Sequence, residues 1–137
     1  MTGKSWLNNP LLRFDALILA FGLGLFVINT YLVKPILNDG DGVVYFFLTN
    51  YANDVLGGLA FLSYTNLLFD LVKKKYRIVR AEMGLGYIFL CGLVWEYVTP
   101  LFVDRSVSDW IDILAYIAGA FLYYAVSFAY QKFAAGK

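Results

Sequence analysis

Four stretches of this chain each run for about the thickness of a bilayer with at most one charged side chain, and that spacing of charges constrains the fold more than any other feature. A helix crossing a hydrocarbon core of roughly 30 Å takes about 20 mostly apolar residues. Between Asp15 and Lys34 lie 18 uncharged residues, closed by Pro35, whose ring disfavours helix in the residue before it. Residues 43–72 hold one charge, Asp54, before Asp70. A continuous helix there is about 45 Å long and overshoots the core, so VVYFFLTN is expected in the interface, with the span beginning near Tyr51. Met83 to Val103 holds only Glu96 and ends beside Pro100, and 19 uncharged residues separate Asp112 from Lys132. The prediction is a single all-α integral membrane domain over residues 1–137, a four-helix transmembrane bundle with spans at 14–34, 51–72, 83–103 and 110–131.

Composition agrees with the spacing. Hydrophobic residues make up 61% of the chain and charged residues only 15%, with a mean hydropathy of +0.65. A soluble domain carries about 25% charged residues, so this chain has too few to cover a wetted surface. Aromatic residues reach 19%, and Tyr45, Phe46, Phe47 and Tyr51 toward one boundary and Tyr123, Tyr124, Phe128, Tyr130 and Phe133 toward the other fit interfacial belts. Histidine is absent, which removes the commonest general base and metal ligand. Cys91 is single and lies in an apolar run, so no internal disulfide forms. The net charge of +1 gives no basic face for nucleic acid. The first apolar run is long and lacks a small-residue cleavage site, so it is expected to stay in the product.

Basic residues flanking spans are retained in the cytoplasm. With an inside N-terminus, nine of the eleven lysines and arginines fall inside, most of them in the KKKYRIVR loop, and only Lys34 and Arg105 fall outside. The expected topology therefore has both the N-terminus and the C-terminus cytoplasmic, in a bacterial plasma membrane, with that loop as the main topology determinant and membrane lipids as surroundings.

Acids show the opposite bias: Asp39, Asp41, Asp54, Glu96, Asp104, Asp109 and Asp112, seven of ten, lie at or beyond the outer half. An ionisable group within a span is costly and marks a candidate functional site. Glu96 sits below the headgroups, with Gly92 one turn beneath and Thr99 above. Asn50, Asn53, Asp54 and Gly57 fall at helical spacing on one face of the second span, as do Asp109, Asp112, Tyr116 and Gly119 on the fourth. Gly57, Gly92, Ala115 and Gly119 are the small residues that let helices approach in lipid. Ser108 is placed to cap the fourth helix, with Asp109 and Asp112 complementing its positive end. Arg105 either pairs with these acids or holds an anion beside that terminus. The expectation is a core of spans two, three and four with an outward polar pocket of Asn50, Asn53, Asp54, Glu96, Arg105, Ser108, Asp109, Asp112 and Tyr116. Span one is left facing lipid.

Read in order, Trp95, Glu96, Pro100, Arg105, Ser106, Ser108, Asp109, Asp112, Ala115, Tyr116 and Gly119 resemble the signature of the VanZ-like family of small bacterial membrane proteins. The match covers residues 94–121. It departs from the family where Val98 and Thr99 replace a glutamine and where Tyr116 replaces an asparagine. The resemblance implies an integral envelope protein related to one associated with low-level resistance to the glycopeptide teicoplanin, and names no reaction.

Three functions compete on these residues. The first is binding of a cation, or of a lipid or cell-wall-precursor headgroup, in the acidic pocket; hard cations suit carboxylate and amide oxygens. The second is an enzyme with Glu96 as general base, disfavoured because no nucleophile elbow, phosphate loop or metal-ligand histidine is present. The third is a small transporter or an accessory subunit, partnered by itself or another membrane protein, with the polar residues serving helix packing. No cofactor is called for.

Overall fold

The computed structural model describes residues 8–37, 40–104 and 109–136, and among these the regular structure is entirely helical. In chain order the helices are α1 Pro10–Ile36, the short α2 Val43–Asn50, α3 Ala52–Val72, α4 Ala81–Leu101 and α5 Trp110–Ala135. All but α2 are long and apolar enough to cross a membrane.

Local chemistry explains the boundaries. Asn9 caps α1 by accepting from the amides of Leu11 (3.1 Å) and Leu12 (3.4 Å), and Pro10 fills the first helical position, where a missing N–H costs nothing. The helix thus starts at residue 10 rather than 14, and Asp15 lies inside it. Tyr51, at φ −120° and ψ −21°, breaks α2 from α3 at the place the bilayer thickness requires. α1 and α4 each widen into a π turn, Asn29–Val33 and Val94–Val98. In both, the residue before a proline donates five residues back, Lys34 to the Asn29 carbonyl and Thr99 to the Val94 carbonyl. Pro35 and Pro100 lack an N–H and crowd the carbonyl four residues earlier, and the wider turn accommodates them.

The four long helices alternate in direction, so α3 and α5 run parallel. They form the centre, with α1 packed along α3 and α4 along α5, while α3 and α4 meet mainly through Tyr87, which stacks on Phe61 at 6.1 Å between centroids and shares a hydrogen bond with Thr65 at 3.0 Å. This replaces the expected core of spans two, three and four. The reason is the central crossing: a Cβ on Gly58 would stand 2.2 Å from the Tyr116 carbonyl oxygen, and one on Gly119 2.0 Å from that of Val55. Each glycine faces the carbonyl three residues before the other, so the two backbones are in contact. Such contact is how helices associate where lipid is as apolar as a side chain. Gly119 was expected here; Gly57 was too, but it has nothing within 4 Å and its neighbour Gly58 takes the role. Gly92 packs against Tyr116 and Ile113, and Ala115 is buried.

α1 is the least buried of the four, as expected for the most lipid-facing span. Its first turns still reach the core, where Phe14 joins Leu59, Leu62, Ile88, Ala120, Tyr123 and Tyr124. The Phe14 ring meets Tyr123 at 5.8 Å and Tyr130 at 5.0 Å between centroids. The end of the bundle holding Pro10, residues 73–80 and Ala135 is called basal below, and the opposite end apical.

Candidate functional site

The apical end gathers carboxylates from three helices. Glu96, in the π turn of α4, is 4% exposed. Its Oε1 accepts from the Tyr116 hydroxyl at 2.9 Å, and its Oε2 from the Asp109 backbone amide at 3.0 Å. Glu96 therefore ties the end of α4 to the start of α5. Asp54, near the start of α3, is half-buried in the neighbourhood of Tyr116 and Asp112. The Tyr51 phenol at the α2–α3 break faces the charges of Asp109, Asp112 and Asp54. Among the described residues no lysine or arginine forms an ion pair with Asp54 or Asp112.

Five of the nine expected site residues, Asp54, Glu96, Asp109, Asp112 and Tyr116, thus come together. Asp109 rather than Ser108 is the helix cap, its Oδ1 accepting from the Ile111 amide at 2.9 Å; Ser108 and Arg105 lie outside the described residues. Asn50 is not drawn in. The break at Tyr51 takes it off the face of Asn53 and Asp54, and it donates instead to the Phe46 carbonyl at 2.9 Å, one turn back on α2. Asn53 turns to α1, donating to Thr30 Oγ1 and accepting from Asn29 Nδ2, both at 2.9 Å. Asn29 Nδ2 also reaches the Leu48 carbonyl, at 2.9 Å. These amides pin α1 and α2 to α3, so the first span is not purely lipid-facing at this end. Of the remaining apical acids, Asp41 and Asp104 are exposed and Asp39 lies outside the described residues. No cluster of three or more Cys, Asp or Glu with metal-site geometry occurs among the described residues.

A second polar cluster, at the basal end, escaped the reading of the sequence. Arg77 turns inward from the α3–α4 loop and its Nη1 donates to both Asp15 and Asp70, whose side chains are fully buried. Tyr123 donates to Asp15 at 2.6 Å and accepts from Arg77 Nη2 at 3.1 Å and Asn66 Nδ2 at 3.0 Å. Asn66 also accepts from the Ile78 amide at 2.8 Å, which fastens the loop. Burial works against charge on Arg77, but the bond to Asp15 and the facing charges outweigh it and hold the guanidinium above its ordinary range. Asp15 and Asp70 look like span boundaries, and Arg77 like one more topology charge. The available signal was the Asn9-Pro10 helix start, which places Asp15 more than a turn inside α1.

Compared with known proteins, the chain matches no family model, and no curated protein or solved structure is found similar to it.

Proposed function

We propose that this is an integral protein of the bacterial plasma membrane, with both termini cytoplasmic, whose apical cluster binds a cationic group. The ligand is a metal cation or the amine-bearing headgroup of a lipid or cell-wall precursor. The observation that carries this reading is the approach of Asp54 to Asp112, two half-buried carboxylates from the parallel central helices, neither of which forms an ion pair with a lysine or arginine among the described residues. Like charges close together are costly in a weakly solvated site, and a bound cation relieves that cost. The resemblance to the VanZ-like family supports placing the protein in the cell envelope and linking it to teicoplanin susceptibility, which an expression-dependent change in susceptibility tests.

The binding test is a thermal melt of the purified chain against Mg²⁺, Ca²⁺ and phosphatidylethanolamine, wild type beside Asp54→Asn and Asp112→Asn. A ligand that binds only the folded state at about 100 times its Kd adds roughly 2.7 kcal/mol. A rise present in wild type and lost in both variants supports the site; no rise with any probe ends this reading.

A second reading, an accessory or structural subunit whose polar residues serve packing, is favoured by the two hydrogen bonds Glu96 accepts from α5. It predicts that Glu96→Leu destabilises the fold while Glu96→Gln leaves activity intact.

A further inference from the structure

The loop between α3 and α4 divides its basic side chains into two sets. Arg77 turns into the bundle onto Asp15 and Asp70, and Arg80 is held by Glu82, whose Oε1 accepts from Nε at 2.7 Å. Lys73, Lys74 and Lys75 do neither. All three are exposed, and among the described residues none forms an ion pair with a carboxylate. They lie on or beside the 3₁₀ turn Lys74–Tyr76, directly after the last residue of α3. The Tyr76 ring draws two of them together, with Lys73 Nζ 6.0 Å and Lys75 Nζ 4.9 Å from its centroid. A ring face attracts ammonium groups that would otherwise spread apart. Val72, Tyr76 and Val79 add an exposed apolar margin.

We propose that Lys73, Lys74 and Lys75 form a docking surface for the headgroups of anionic phospholipids. α3 ends at Val72, so three ammonium groups with no ion pair among the described residues fall at the depth where a spanning helix leaves the hydrocarbon and meets phosphate. Tyr76 and Val79 suit the same boundary, since amphipathic and apolar groups settle there. Arg77 and Asn66 fasten the loop from beneath, so the platform exists before a lipid arrives and little ordering is needed on binding. Each lysine near an anionic surface is worth about fivefold in affinity, so the three together give on the order of a hundredfold at low salt. The surface is independent of the apical cluster and of which side of the membrane the loop occupies.

The test uses the full chain in nonionic detergent, with phosphatidylglycerol, phosphatidylcholine and inorganic phosphate as probes and melting temperature as readout. Phosphatidylglycerol is expected to raise it and the other two are not, with the rise suppressed by high salt and lost in K73Q/K74Q/K75Q. The exposed basal Lys132 is the control, and K132Q is expected to keep the response. Should the triple variant fail to fold, native mass spectrometry of K75Q is expected to show about fivefold weaker phosphatidylglycerol retention. An unchanged response in the triple variant, an equal response to phosphatidylcholine or inorganic phosphate, a response lost in K132Q, or full retention by K75Q would each overturn the proposal.

Discussion

The two ends of the bundle handle their carboxylates differently. At the basal end Asp15 and Asp70 share one guanidinium, and Tyr123 and Asn66 complete the network. At the apical end Asp54 and Asp112 face each other, and Glu96 is held by a backbone amide and a phenol. The basal arrangement has a guanidinium built in between its two carboxylates, although the buried Asp70 Oδ1 has no hydrogen-bond partner among the described residues. An arrangement of that kind holds a fold in one conformation and is costly to break. The apical arrangement brings carboxylates together with no ion pair among the described residues, the feature on which the proposed cation site rests.

This contrast is sharpest at Arg77. Arg77→Met strands two buried carboxylates and is expected to cost about 3–5 kcal/mol, seen as a large fall in melting temperature, partly restored by adding Asp15→Asn. A variant as stable as wild type would show that Arg77 does not clamp the basal end. Next in size, Gly119→Leu forces a side chain onto the Val55 carbonyl, for a loss of about 1–3 kcal/mol or more. Gly57→Ala meets nothing within 4 Å and should stay within about 0.5 kcal/mol of wild type; equal losses in the two would show that Gly58 and Gly119 do not make the crossing. Tyr123→Phe removes a hydroxyl with three buried partners and should cost about 1–3 kcal/mol. Tyr116→Phe, at the apical end, should cost about 1 kcal/mol, and a reversed order would contradict the contrast between the ends. The smallest effect on stability belongs to Asp54→Asn. It relieves a like-charge contact, so melting without ligand should be unchanged or slightly higher, while the response to a cationic probe disappears. A marked loss of stability there would assign Asp54 to packing.

Much of the fold was legible because a bilayer turns charge spacing into length. The four spans, the break near Tyr51 and the separate status of VVYFFLTN all follow from counting uncharged residues against membrane thickness. Part of the apical cluster was legible for a related reason: Glu96 and Asp112 are costly in a span, and helical spacing put Tyr116 on the face of Asp112. The same spacing misled at Asn50, because periodicity is meaningful only within one helix and Tyr51 ends it. It misled at Gly57 as well, since consecutive residues point about 100° apart on a helix and a tandem glycine pair does not announce which member faces the neighbour.

The basal network was the least legible. Asp15, Asp70, Arg77 and Tyr123 come from two ends of spans, a loop and the last helix, and no local pattern links Asp15 to a tyrosine 108 residues away. The number, length and order of the crossing helices are properties of the chain read in one dimension, because burial in lipid penalises each charge where it stands. Which helices form the central pair, which glycine meets a backbone, and whether an acid such as Asp15 finds an arginine are settled only when the helices pack, because contact and charge compensation depend on distances between residues far apart in the chain.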